Sequence, residues 1–221
     1  TQGVSDIHAI PISHLEKQLD AVLSDIRFGA VKIGMLHSCD VIKTVTSKLS
    51  AYDIKNIVLD PVMVATSGDK LITDDAIDCL KIFLPQARLI TPNIPEAEIL
   101  IGHKISRENF KDSAIEIGEK YNNSVLLKGG HLVKETNKMM DVLFNAKTNE
   151  TLEILNPKIN TNNTHGTGCS LSASIATFLC LGFDLEAAVK RGCNYVNQAI
   201  NNGKDMVLGK GNNPINHFGL K

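Results

Sequence analysis

The chain has 221 residues, 43% of them hydrophobic and 5% aromatic, and its 23 basic and 24 acidic residues leave a net charge of −1. This balance lacks the basic surface of a nucleic-acid-binding protein, and the shortage of aromatic side chains argues against a surface that stacks single-stranded bases. No apolar run is long enough to span a bilayer and no signal-peptide pattern opens the chain, so neither a membrane nor a nucleic acid is expected as a partner.

Helical and strand-like patterns alternate through the first 128 residues. In chain order the pattern predicts a helix at 14–27 capped by Ser13, a strand at 30–33, a helix at 40–49, a strand at 56–60, a helix at 74–84 capped by Asp74, a strand at 88–91, helices at 96–100 and 106–121, and a strand at 124–128. This alternation predicts right-handed βαβ units and a mainly parallel sheet covered by helices on both faces.

The pattern changes in the last third of the chain. Residues 139–144 and 151–155 flank a polar turn and predict an antiparallel hairpin at a sheet edge, and helices are predicted at about 167–181 and 185–202. No linker or repeat interrupts the chain, so we expect one α/β domain over residues 1–221. Because the chain begins with Thr1 rather than Met, we also expect it to start inside a larger polypeptide.

Polar residues follow the predicted strands at the carboxyl edge, where ligands of such sheets gather. Asp60, Asn93 and Glu96 offer oxygen atoms that could share a Mg²⁺ shell, and Lys128 could neutralise a phosphate. Each has a plainer explanation: an Asp-Pro turn for Asp60, helix capping for Asn93 with Glu96, and a solvated surface position for Lys128.

The segment Asn-Thr-His-Gly-Thr-Gly-Cys-Ser, residues 163–170, carries the strongest chemical signal. A glycine turn that opens a helix presents unpaired backbone N–H groups at the positive end of the helix dipole, which is a site for an anion such as phosphate. Cys169 would lie beside that anion. The alternative is a simple turn with a small buried cysteine, since the segment matches neither the Walker loop nor the Rossmann fingerprint.

The five cysteines are odd in number and widely spread, without a Cys-x-x-Cys pair. We therefore expect neither a zinc site nor a disulfide framework, and a reducing cytoplasm is the expected compartment.

Several short motifs together carry a family resemblance. They are Gly34-Met35-Leu36, Val58-Leu59-Asp60-Pro61-Val62-Met63, Thr91-Pro92-Asn93-Ile94-Pro95-Glu96, Leu127-Lys128-Gly129-Gly130-His131, the segment at 163–169, Gly209-Lys210-Gly211 and Pro214-Ile215-Asn216-His217-Phe218. In this order they closely resemble the hydroxymethylpyrimidine/phosphomethylpyrimidine kinases of the ribokinase-like superfamily, over essentially the whole chain. The family's first strand and its glycine-rich turn are missing before Thr1.

The resemblance implies a three-layer ribokinase-like fold and an ATP- and Mg²⁺-dependent enzyme. It would phosphorylate 4-amino-5-hydroxymethyl-2-methylpyrimidine and then the monophosphate in thiamine biosynthesis, and relatives often form homodimers. The motifs and the resemblance together predict catalysis by Cys169, Gly166, Thr167, Gly168 and Lys128; ATP binding by Asn93, Lys128, Thr164, His165, Gly166 and Gly168; pyrimidine binding by Met35, Val62 and Cys169; and Mg²⁺ binding by Asp60, Asn93 and Glu96. In most relatives of the superfamily an aspartate stands where this chain has Cys169, and another where it has Asn163.

Two other functions stay open at this point. Pyridoxal kinase is a sister activity that acts on a similar ring alcohol. A non-catalytic module that only binds a pyrimidine is the alternative of another class.

Overall fold

A six-stranded sheet organises the computed structural model, which describes residue 6 and residues 8–63, 71–130 and 138–219. The strands are β1 (Val31–Ile33), β2 (Ile57–Leu59), β3 (Leu89–Ile90), β4 (Ser124–Leu127), β5 (Lys138–Asn145) and β6 (Glu150–Pro157), and they lie side by side in this order. The first four are parallel, whereas β5 and β6 are antiparallel to their neighbours. The predicted parallel sheet and its edge hairpin are confirmed.

Seven α-helices connect and cover the strands in the described part of the chain. They are α1 (Ile12–Asp25), α2 (Cys39–Ala51), α3 (Asp74–Phe83), α4 (Ile94–Ile101), α5 (Phe110–Tyr121), α6 (Thr167–Cys180) and α7 (Leu185–Gly203). A 3-10 turn, Leu84–Gln86, follows α3.

Several helix starts differ from the prediction, including that of α4, which begins at Ile94 rather than at residue 96. The residue before α1 is Pro11 and the residue before α3 is Thr73, so Ser13 and Asp74 lie inside their helices rather than capping them. Helix α5 begins four residues later than predicted because the Ser106 N–H and hydroxyl donate to Asn109 Oδ1 and form a local turn there. Side-chain hydrogen bonds of this kind compete with the first turn of a helix.

Two hydrophobic clusters lie on opposite faces of the sheet. Alternate strand residues such as Leu59 and Ile90 face the cluster that α2 to α5 cover, while Val58, Leu89 and Leu126 face α6 and α7. The arrangement is three layers, helix–sheet–helix, as predicted. In this arrangement the start of α6 lies beside the residues that follow β2 and β4, at the carboxyl ends of the central strands.

One covalent link departs from the sequence analysis. Cys39, at the start of α2, and Cys79, within α3, form a disulfide with their Cα atoms 5.5 Å apart. The two cysteines are 40 residues apart in sequence, so their spacing carries no signal, and only the packing of α2 against α3 brings them together. None of the described helices has the length and apolar character needed to cross a membrane.

Candidate active site

The turn before α6 leaves backbone N–H groups available to an anion. Gly166 precedes the helix with φ +91° and provides no side-chain cap. Glycine adopts this left-handed conformation without the steric cost that a Cβ would bring. A helix start without a capping side chain keeps its donors free, as an anion site requires.

The backbone hydrogen bonds show which of these donors are free. Thr167 N–H donates to Thr164 O at 3.3 Å, and Ser170 N–H donates to Gly166 O at 2.9 Å. Gly166, Gly168 and Cys169 donate no backbone N–H to any described carbonyl. The sequence predicted that the N–H groups of Gly166, Thr167 and Gly168 would be available to an anion. In the structure the Thr167 N–H closes the turn, and the Cys169 N–H is free in its place.

A partly buried ion pair lies directly beside this turn. Lys128, just past β4, places Nζ 3.0 Å from Oδ1 of Asp60, just past β2, and the Thr91 hydroxyl donates to the same oxygen at 3.2 Å. A Cβ on Gly168 would lie 3.6 Å from Lys128 Nζ and 3.7 Å from Asp60 Oδ2. The three strand ends and the turn thus converge, as their places in the sequence predict.

Asn93 and Glu96 form a reciprocal cap at the start of α4. Glu96 N–H donates to Asn93 Oδ1 at 2.9 Å, and Asn93 N–H donates to Glu96 Oε2 at 2.8 Å. This is the capping arrangement that was the plainer explanation of the pair. Burial raises the pKa of Glu96 to about 7; the nearby Asp60 carboxylate adds to the rise, while the Lys128 charge and the Asn93 N–H oppose it.

The acid groups at this edge fit a divalent cation with several waters. Among the described residues no group of three His, Cys, Asp or Glu side chains is arranged as a ready metal site. Mg²⁺ retains water and commonly takes one or two carboxylates together with substrate phosphates, and Asp60 and Glu96 supply two. The Oδ1 atom of Asn93 is engaged in the cap, so Asn93 fixes the orientation of the Glu96 carboxylate.

The other predicted residues lie around the same edge. Cys169 is exposed in the first turn of α6, and Met35 is exposed in the segment after β1. Val62 is half-buried after β2, and its N–H donates to Asp60 O at 2.8 Å. Thr164 and His165 are exposed in the segment that leads into the turn. His131 lies outside the described residues.

Sequence reasoning missed the side chains that hold the turn in place. Asn163 is buried, and its Nδ2 lies within hydrogen-bonding distance of the carbonyl oxygens of Gly203 (2.8 Å), Lys204 (3.2 Å) and Met206 (2.7 Å). Its Oδ1 accepts from Asn213 Nδ2 at 3.1 Å. An amide can do both, whereas an aspartate has no N–H to donate. This explains why asparagine suits the position.

The segment 213–217 also packs along the turn. His165 N–H donates to Asn213 O, and Ile215 N–H donates to His165 O. The His217 ring contacts Ser170 Oγ at 3.3 Å through Nε2 and the Tyr195 hydroxyl at 3.0 Å through Nδ1. The motif at 214–218 was noted in the sequence only as part of the family resemblance, and no spacing in the sequence places it against the turn.

Asp141 is a second residue that the sequence did not single out. It lies on β5, and its Oδ1 accepts the Gly129 N–H at 2.9 Å, next to Lys128. Burial raises the pKa of Asp141 to about 6, although the Gly129 N–H and the Lys128 charge both favour the carboxylate. Asp141 therefore fixes the backbone that follows Lys128.

Comparison with known proteins finds a family model and several relatives that are similar to this chain over nearly its whole length. A model of the family described as phosphomethylpyrimidine kinase matches residues 1–216. The thiamine biosynthesis bifunctional protein ThiED of Geobacter sulfurreducens is 42% identical over 220 residues, which cover 99% of this chain and 44% of that protein. The chain thus spans less than half the length of this curated relative.

Solved structures share the fold. Phosphomethylpyrimidine kinase from Clostridium difficile 630 superposes with a TM-score of 0.76 at 34% identity, over 90% of this chain and 80% of that one. Pyridoxal kinase from Staphylococcus aureus in complex with ADP superposes with a TM-score of 0.86 at 28% identity, over 98% of this chain and 79% of that one. The ribokinase-like fold is therefore confirmed.

Proposed function

This chain belongs to the phosphomethylpyrimidine kinase family, and we propose that it transfers the γ-phosphoryl group of ATP to hydroxymethylpyrimidine and then to the monophosphate, in thiamine biosynthesis. One observation carries the proposal. The free amides of Gly166, Gly168 and Cys169 open beside the partly buried Lys128–Asp60 pair, at the sheet edge where ligands of such folds bind. The ADP complex of the structural relative supports ATP as the phosphoryl donor.

Phosphoryl transfer depends on positioning and charge neutralisation more than on covalent catalysis by the protein. In the proposed roles, the three free amides stabilise negative charge on the transferred group and Lys128 adds a positive charge beside them. Thr164 and His165, in the segment that leads into the turn, bind the phosphates of ATP. A magnesium ion, when bound at Asp60 and Glu96 with Asn93 orienting Glu96, would neutralise phosphate charge.

Cys169 is the proposed acceptor of the substrate hydroxyl proton. The substrate oxygen forms a bond to the γ-phosphorus, the bond from that phosphorus to ADP breaks, and the hydroxyl proton passes to the thiolate. The pyrimidine ring would lie against Met35 and Val62, the apolar residues that follow β1 and β2.

Incubation of the protein with ATP, Mg²⁺ and hydroxymethylpyrimidine tests this function. We expect ADP release and, by mass spectrometry, the pyrimidine monophosphate followed by the diphosphate.

Cys169→Ala should lower turnover by roughly two to three decades, as removal of a proton acceptor typically does. Cys180→Ala removes another exposed free thiol, at the far end of α6, and should leave turnover unchanged. Equal turnover in both variants would refute the role of Cys169.

Pyridoxal kinase is the second candidate, because a pyridoxal kinase shares the fold over 98% of this chain. Turnover of pyridoxal measured beside that of the pyrimidine separates the two activities. Binding of the pyrimidine without ADP release would instead favour a non-catalytic module. A homodimer and a cytoplasmic location stay predictions, which size-exclusion chromatography and cell fractionation would check.

A further inference from the structure

Lys32 lies on β1 and belongs to the face of the sheet that α6 covers. It is in register with Val58, whose side chain packs in the hydrophobic cluster of α6 and α7. Neighbouring residues in register share a face of the sheet, and side chains alternate along a strand. The Lys32 side chain therefore starts on the same side of the sheet as the turn before α6.

The Lys32 side chain runs toward the carboxyl edge of the sheet. A Cβ built on Gly34 would lie only 2.9 Å from Lys32 Nζ, so the ammonium group occupies the space that a side chain at position 34 would fill. Gly34 directly precedes Met35, which is proposed to contact the pyrimidine. The ammonium thus lies at the substrate end of β1.

Within the described part of the chain, Lys32 makes no hydrogen bond or ion pair, although the residue is only partly exposed. The other lysine at this edge, Lys128, has its charge balanced by Asp60 at 3.0 Å. The charge of Lys32 is therefore available to an anion that binds at this edge. A phosphate monoester carries a charge of about −1.5 to −2 near neutral pH.

We propose that Lys32 binds the phosphate of the phosphorylated pyrimidine and so determines recognition of the second substrate. The inference rests on the proposed function, because it assigns a role within the second of the two phosphorylations. The free hydroxymethylpyrimidine carries no phosphate, and its binding does not need Lys32. An ammonium that reaches a phosphate acts as a point charge and forms a charge-assisted hydrogen bond.

Direct binding measurements test the proposal without relying on turnover. Calorimetry would compare three ligands, the free pyrimidine, the monophosphate and a non-hydrolysable ATP analogue, on the wild type, Lys32→Met and Lys32→Arg. Lys43→Met, an exposed lysine on α2, is the matched loss of charge. We expect Lys32→Met to weaken monophosphate binding by about tenfold or more and to leave the other two ligands within about twofold. Lys32→Arg should restore most of the affinity.

Gly34→Ala provides a second variant that keeps the charge but displaces the ammonium. It should also weaken monophosphate binding selectively, since its Cβ takes the place of Lys32 Nζ. Equal weakening of the free pyrimidine would indicate a structural role, and selective weakening of the ATP analogue would assign Lys32 to the nucleotide; either overturns the proposal. Unchanged monophosphate affinity in Lys32→Met overturns it as well. Failure of the proposed function is distinguishable, because the wild type would then bind no pyrimidine or release no ADP.

Discussion

Lys128 Nζ and Asp60 Oδ1 are 3.0 Å apart, and the two side chains are only 17% and 4% exposed. The pair joins the ends of β4 and β2 directly beside the turn before α6. Removal of one partner from a buried ion pair leaves an uncompensated charge, which commonly costs about 3–5 kcal/mol.

Lys128→Met should therefore lower both stability and turnover. We expect the free energy of unfolding to fall by about 3 kcal/mol in chemical denaturation, since Asp60 loses its counter-charge. The double variant Asp60→Asn/Lys128→Met should recover much of that stability but none of the turnover. Recovery of turnover in the double variant would show that Lys128 serves only to balance Asp60.

Asn163→Asp should loosen the turn. The substitution replaces the Nδ2 donor with an oxygen that faces three carbonyl oxygens, so repulsion replaces attraction. We expect a loss of about 3 kcal/mol in the free energy of unfolding, because buried groups left unsatisfied are costly. Asn197→Asp is the control, since its single exposed bond to Pro157 O predicts a much smaller loss. Equal losses at the two positions would show that the hydrogen bonds of Asn163 do not hold the turn in place.

Asp141→Asn should change how stability depends on pH. Burial raises the pKa of Asp141 from 3.8 to about 6, so the folded state holds the proton more tightly than the unfolded state. The stability that this carboxyl contributes is complete below about pH 4 and is lost as pH rises through about 6, by up to about 3 kcal/mol. Asparagine keeps the acceptor for Gly129 N–H and does not titrate.

The measurement is the difference in the free energy of unfolding between the variant and the wild type from pH 4 to pH 8. That difference should grow in favour of Asp141→Asn as pH rises, and the titration of Glu96 cancels because both proteins share it. Asp112→Asn, on the exposed surface of α5, should give a difference that stays nearly constant. A constant difference for Asp141→Asn as well would mean that the carboxyl titrates normally.

The Cys39–Cys79 disulfide should stabilise the pairing of α2 and α3. A bridge that closes a loop of 40 residues is worth about 4 kcal/mol through the entropy of the unfolded chain. Cys39→Ser/Cys79→Ser should lose stability of this order in oxidising buffer. Dithiothreitol should reduce the wild type to a similar stability and leave the variant unaffected, whereas a wild type indifferent to the reductant would show that the thiols are not bridged in solution.

The alternation of apolar strands and amphipathic helices was enough to predict the parallel sheet, the edge hairpin and the helices that cover them. Local signals were weaker at helix starts: Ser13 and Asp74 have capping side chains, yet Pro11 and Thr73 precede the helices. Helix ends fray, so such boundaries are defined only to within one or two residues.

The proximity of residues was predictable where they follow parallel strands of one sheet. Asp60 follows β2 and Lys128 follows β4, on either side of β3, and parallel strands bring their carboxyl ends to one edge. Asn163 with Asn213, and Cys39 with Cys79, meet through the packing of loops and helices, which no spacing in the sequence encodes. The sequence also could not predict that the Thr167 N–H is hydrogen-bonded, because this bond depends on how tightly the turn closes onto Thr164 O.

The Asn163–Asn213 contact joins two stretches of chain that are 50 residues apart, on either side of α6 and α7. Ribosomes make proteins from the amino end, so the parallel strands can pair in the nascent chain well before position 213 has been added. The pocket of free amides therefore takes its final shape late in synthesis. A chain arrested between these two asparagines would carry a nearly complete sheet and an unfinished turn before α6.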